Sequence, residues 1–114
     1  MMTLTAEPSG CGALLVRVDG DLDVYEAPHL RELLIGVQRG GTRRLIIDLN
    51  QCDYIDSTGL GVLVGALKRV RAVDGSIAVI CEADRILRIL RMTGLVPVLN
   101  VCGSLVDAHS AVGA

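Results

Sequence analysis

From Leu14 to Asp19 the chain reads Leu-Leu-Val-Arg-Val-Asp and ends in strict alternation of apolar and polar positions, the period of a half-exposed strand. Upstream, Thr3 to Ala6 reads as a short edge strand. Pro8-Ser9-Gly10-Cys11-Gly12 supplies turn chemistry between the two, so an opening β-hairpin is expected. Gly20-Asp21-Leu22-Asp23 reads as a loop, and then the period changes. Leu30, Leu33, Leu34 and Val37 recur at helical spacing. Pro28 is tolerated only in a first turn, which starts this helix near Ala27, and Gly40-Gly41 stops it. Leu45 to Leu49 is apolar on both faces, as in a central strand covered on both sides. A second helix is predicted from Asp56 or Ser57 to about Val73. Leu60, Leu63, Val64, Leu67 and Val70 form its stripe, Lys68, Arg69 and Arg71 lie towards another face, and Gly75 ends it. Ile77 to Ile80 is another doubly covered strand. Asp84 is expected to cap a short helix through Met92, with Gly94 as its stop. Val96 to Val101 reads as the last strand, placed at or near an edge because Pro97 lacks a donor. A helix from Ser104 to about Val112 follows. The alternation predicts an α/β sandwich: one domain over residues 1–114, with a mixed, mostly parallel sheet of about five strands and about four helices.

Composition narrows the function classes. A chain of 114 residues supports one core and leaves no room for a separate catalytic lobe. Apolar residues make up 51% of it, yet Trp and Phe are absent and the aromatics are Tyr25 and Tyr54, so the core is aliphatic. Single-stranded nucleic-acid binding, which uses aromatic platforms, is disfavoured. A net charge of −2 gives no field to attract nucleic acid or an anionic membrane. The apolar stretches are shorter than a bilayer span, and Met1 to Gly10 lacks the features of a signal peptide, so a cytoplasmic location is expected. Cys11, Cys52, Cys81 and Cys102 are scattered, with no CxxC pair and no histidine at ligand spacing. Free thiols are expected, with Cys52, Cys81 and Cys102 packed as small apolar groups, and neither metal nor cofactor is called for.

The informative stretch is Tyr54-Ile55-Asp56-Ser57-Thr58-Gly59-Leu60-Gly61. Asp, Ser and Thr are the residues that satisfy free N–H groups at a helix start, so helix capping alone accounts for three of these positions. It does not account for Gly59, Gly61 and Gly65, each costing about 0.8–1 kcal/mol against alanine inside a helix. Close packing against the sheet, or a helix start left open to a docking protein, would each justify them. A serine hydrolase is disfavoured, because Ile55-Asp56-Ser57-Thr58-Gly59 lacks the first glycine of a nucleophile elbow. His29 and His109 belong to no recognisable motif and are expected at the surface or rim. Gly59-Leu60-Gly61 has neither a P-loop ending nor a full dinucleotide fingerprint. Arg85, Arg88 and Arg91 recur every third position, the pattern of a solvated face opposite Ile86, Leu87, Ile89 and Leu90; docking against an acidic partner is the alternative.

Taken together, Ile47-Asp48-Leu49, Tyr54 to Leu63, the upstream Gly20-Asp21-Leu22-Asp23 and the later Met92-Thr93-Gly94-Leu95 resemble, in order and spacing, the signature of STAS-domain anti-sigma factor antagonists. The resemblance covers nearly the whole chain. It implies a regulatory protein, not an enzyme, whose unphosphorylated form binds an anti-sigma factor with serine kinase activity and so frees a sigma factor. It further implies phosphorylation at Ser57, with Thr58 where many relatives carry a second serine, and a serine phosphatase that resets the switch. Asp23 matches the family's loop beside the phosphosite. Asp56, Ser57, Thr58, Gly59, Leu60 and Gly61 are the matching partner-binding positions. The alternative within the family is a scaffold or regulatory interaction module that is not phosphorylated. Phosphate at a helix N-terminus is tolerated by the helix dipole, so the disruption is expected on the partner surface, with the fold left standing.

Overall fold

The computed structural model describes residues 1–113. In chain order the elements are β1 (Thr3–Ser9), β2 (Ala13–Leu22), α1 (Ala27–Arg39), β3 (Arg44–Ile55), α2 (Ser57–Ala72), β4 (Ser76–Ile80), α3 (Asp84–Met92), α4 (Leu95–Val98), β5 (Val101–Cys102) and α5 (Leu105–Gly113). The strands lie side by side in sequence order. β1 runs antiparallel to β2, and β2 to β5 are parallel. The mixed five-stranded sheet and opening hairpin are therefore as the pattern predicts.

Parallel neighbours need crossovers, and crossovers of one hand between successive strands put their helices on one face of the sheet. On that face Val16, Val18, Leu45, Ile47, Ile77 and Val79 pack with Leu30 and Leu34 of α1, Leu63 and Leu67 of α2, and Ile86 and Leu90 of α3. The reverse face is thinner: Leu15, Ile46, Ala78 and Ile80 are covered by Ala108 and Val112 of α5. Two covered faces are why β3 and β4 read as apolar runs rather than alternating ones.

The structure departs from the pattern in four places. The stretch Val96 to Val101 is not a strand: Gly94, at φ 72°, opens the four-residue α4, and β5 is only Val101–Cys102. Fully buried Leu99 fixes the segment, and Asn100, at φ 49°, turns the chain while its side-chain amide donates to the Ile77 carbonyl at 2.8 Å. Pro97 thus sits in a helical turn instead of an edge strand. This adds a fifth helix to the expected four. Gly20-Asp21-Leu22 is the end of β2, not a loop, and Leu22 pairs with Ile55. β3 runs on past Leu49 to Ile55, with register irregularities against β2 between Asp48 and Gln51 and between Cys52 and Tyr54. These irregularities break the alternation that marks a strand, which is why the stretch resembles a turn. Finally, Ala83 rather than Asp84 precedes α3, and Asp84 lies in its first turn, where a carboxylate still suits the dipole.

Candidate functional site

β2 and β3 end side by side, and their last residues build the candidate site. Leu22 and Ile55 are paired and both buried. The residues that follow them, Asp23 and Asp56, therefore leave the sheet from adjacent strand ends. The Asp56 N–H donates to the Leu22 carbonyl at 3.4 Å, stitching the two exits together. Asp23 then caps the turn into α1, its Oδ1 accepting from the backbone of Tyr25 at 3.0 Å and of Glu26 at 2.9 Å.

Asp56 is the N-cap of α2. Its backbone is extended, its Oδ1 accepts from the Gly59 N–H at 3.0 Å, and its carbonyl accepts from Leu60 at 2.9 Å. Ser57 and Thr58 are the first two helical residues, and both are exposed. Among the described residues no group engages the Ser57 hydroxyl. The capping role open to three side chains thus falls on Asp56, and Ser57, which the sequence allowed as a cap, is not one.

The glycines of α2 divide. A Cβ on Gly59 would stand 2.6 Å from the Leu22 carbonyl oxygen and 2.9 Å from both Leu22 Cγ and Ile55 Cγ1, so packing demands glycine there. A Cβ on exposed Gly61 would meet nothing within 4 Å. At Gly65 it would touch only the flexible end of Arg69, 3.2 Å away.

The STAS domain model matches residues 4–108. The chain belongs to the STAS domain family. It is 41% identical over 86 residues to the anti-sigma-B factor antagonist of Staphylococcus aureus strain NCTC 8325 / PS 47, covering 75% of this chain and 80% of that protein. Its fold superposes at a TM-score of 0.91 on the crystal structure of an anti-sigma factor antagonist from Mycobacterium paratuberculosis, 26% identical, covering 100% of this chain and 96% of that one. The phosphorylated form of the Bacillus cell fate determinant SpoIIAA shares the fold at a TM-score of 0.74 and 18% identity, covering 90% of this chain and 91% of that one.

In this STAS domain the motif residues Asp23, Asp56, Ser57, Thr58, Gly59, Leu60 and Gly61 gather at the C-terminal end of β2 and β3. Gly59 is buried and Leu60 half-buried against the core, while Ser57, Thr58 and Gly61 face outward. Residues outside those positions also belong to this end. Val24, Tyr25 and Tyr54 are 52%, 82% and 46% exposed, so both aromatic side chains of the domain stand at the surface around the ends of β2 and β3. An aliphatic core had no use for them, and that scarcity was the available signal. Asp21 and Asp53 add negative charge nearby.

The remaining candidates lie elsewhere. Arg85, Arg88 and Arg91 are exposed on α3, with Ile86 and Leu90 buried beneath them. His29 is exposed beside Glu26, and half-buried His109 hydrogen-bonds to Ser9 Oγ at 2.6 Å, tying α5 to the hairpin. Cys52 and Cys81 are buried, Cys102 is half-buried and Cys11 is exposed; all four are free thiols. Burial pushes the Cys52 and Cys81 thiols above their ordinary pKa, so they act as packing groups. Among the described residues, no group of ligating side chains is arranged to hold a metal, and no helix is long and apolar enough to cross a membrane.

Proposed function

We propose that this protein is an anti-sigma factor antagonist switched by phosphorylation at Ser57. The unphosphorylated form binds an anti-sigma factor that is also a serine kinase, and the bound sigma factor is released. The kinase then phosphorylates Ser57, binding is lost, and a serine phosphatase restores the active form. The observation that carries this reading is the division of labour at the start of α2. Asp56 does the capping, which leaves the Ser57 hydroxyl exposed and unengaged at a helix N-terminus. A phosphate there gains from the dipole and from N–H groups that have no intrahelical partner. The names of the relatives, anti-sigma factor antagonists, support the reading. Asp23 and Asp56 beside Ser57 add to the negative field that a modified serine presents to the partner. Tyr25 and Tyr54 supply amphipathic contact area of the kind enriched in protein interfaces.

The test combines phosphorylation and binding. Candidate GHKL-type serine kinases, beginning with any encoded beside this protein's gene, are incubated with it and ATP, and the modified residue is mapped. Ser57 is expected to carry the phosphate. Ser57→Ala should bind the kinase as tightly as the unmodified protein, and the phosphorylated protein or Ser57→Asp should not. Equal binding by Ser57→Asp and Ser57→Ala would leave the non-phosphorylated scaffold as the better description.

A further inference from the structure

A groove runs along α2 away from Ser57, at its seam with α1. Thr58, Gly61, Val62 and Gly65 line it with Arg31 of α1 and Arg69, around a cavity of about 200 Å³. Arg69 is held in place: its Nε donates to Gln38 Oε1 at 2.6 Å, and Gln38 Nε2 donates to the Ala66 carbonyl at 3.1 Å. This sets the guanidinium at the level of Gly65. Its Nη2 is buried and has no hydrogen-bond partner among the described residues. Burial, and then the charges of Arg31 and Arg39, lower the Arg69 pKa, so like charges converge here. Among the described residues none of the three forms an ion pair. Cations gathered without an anion, one of them desolvated and held in place, are an arrangement that an incoming carboxylate would relieve.

The groove is also open for a reason that packing does not supply. Nothing within the chain needs glycine at position 61, where a Cβ would have free space. A backbone approaching from outside does benefit from it. The forked geometry of guanidinium groups suits a planar carboxylate, and the groove wall adds apolar Val62 for the carbons that carry it. Beyond the first turn, at Gly61, Val62 and Gly65, the helix offers no spare N–H groups with which to wrap a free phosphate.

We propose that this groove receives an acidic side chain, glutamate or aspartate, from the anti-sigma factor, with the exposed part of the Arg69 guanidinium and Arg31 donating to the carboxylate and Gly61 admitting the partner's backbone. The proposal rests on the function put forward above and names the partner chemistry read beside Ser57. Arg31 is exposed, so it can be changed without disturbing the core.

Affinity for the kinase that phosphorylates Ser57 is measured for the unmodified protein, Arg31→Glu, Arg69→Met and Ser57→Asp, with thermal melts to verify folding. Arg31→Glu should weaken binding about tenfold or more and flatten its salt dependence. Replacing the matching acidic residue of the kinase by lysine, found by scanning its acidic positions, should restore binding to Arg31→Glu. If Ser57→Asp abolishes binding while both folded arginine variants bind normally, the groove assignment is overturned and the phosphorylation switch stands. If Ser57→Asp binds as well as the unmodified protein, the switch itself fails and the assignment falls with it. Inorganic phosphate at millimolar concentration provides the last arm. A shift of the Arg69 Nε–H resonance that Arg31→Glu removes would give the groove to a free anion and overturn the acidic side chain.

Discussion

Two alanine substitutions only two positions apart should move stability in opposite directions. Gly61→Ala adds a methyl group where nothing beyond its own stretch of helix lies within 4 Å, so the change should realise the helix propensity of alanine. That is worth about 0.8–1 kcal/mol of stabilisation. Gly59→Ala faces three contacts below 3.0 Å, and one of them is a backbone oxygen that cannot rotate aside. That oxygen, on Leu22, also accepts the Asp56 N–H that joins the ends of β2 and β3. Overpacking of this kind costs about 1–3 kcal/mol. Gly59 lies in the first turn, where propensity offsets little, so a net loss of roughly 1–3 kcal/mol is expected. The two variants should therefore differ by about 2–4 kcal/mol, the sum of the gain and the loss. Urea unfolding followed by far-UV circular dichroism is the suitable assay, because the chain has no Trp and its two Tyr are exposed in the native state. Equal m-values would show that the denatured state is unchanged. A destabilised Gly61→Ala, or a neutral Gly59→Ala, would refute the division of these glycines into one required by packing and one free of it.

Asp56→Ala should lose the cap on the Gly59 N–H and cost about 0.5–2 kcal/mol, read from the same urea curves. Ser57→Asp should change stability by less than about 1 kcal/mol, since a carboxylate in the first turn gains from the dipole what Asp56 and Asp23 cost it; a collapse in melting temperature would contradict a switch that leaves the fold intact. Iodoacetamide should label Cys11 in the native protein and reach Cys52 and Cys81 only on unfolding, as mass spectrometry of tryptic peptides would show. The Cys52 and Cys81 thiols, raised by burial, remain protonated in the fold to a higher pH than in the unfolded chain. Their contribution is therefore complete below the unfolded thiol pKa of about 8.5 and declines as pH rises above it. A Cys52→Ala, Cys81→Ala variant should show a shallower alkaline loss of urea midpoint than the unmodified protein.

The architecture was legible where a single period governs a segment. The stripe Leu30, Leu33, Leu34 and Val37 marked α1, and Pro28 with Gly40-Gly41 marked its ends to within a residue or two. The apolar runs at Leu45 and Ile77 marked the covered strands. It was illegible where tertiary contacts override propensity. Val96 to Val101 has the composition of a strand, yet the burial of Leu99 and the Asn100 bond to β4 decide its path, and neither is local. β3 past Leu49 was hidden because bulges scramble the alternation that identifies strands. At the site, the motif positions were all readable from the chain. Which of Asp56, Ser57 and Thr58 would cap, and that Arg31 and Arg69 would meet across two helices, depends on geometry that no residue pattern encodes.

Capping by Asp56 has a consequence for how a signal at Ser57 could travel. Had Ser57 been the cap, modifying its oxygen would have withdrawn an acceptor from the helix start, with a loss of about 0.5–2 kcal/mol. Phosphorylation would then have acted through the stability of α2. With the cap on the preceding residue, a phosphate of about −1.5 to −2 charge would be added without removing any hydrogen bond of the fold. Its whole effect would fall on whatever approaches Ser57. The surroundings sharpen that effect in two ways. Asp23 and Asp56 prevent local neutralisation, and a partner resting on Tyr25 and Tyr54 would have to strip water from the phosphate to keep its contacts. The opposing arginines lie further along α2, at the level of Gly65, where Arg69 is tethered by Gln38 and held back from the helix start. One surface would thus hold an acidic partner group at the groove and repel the same partner at Ser57, with eight residues of helix, about 12 Å, keeping the attraction and the repulsion apart.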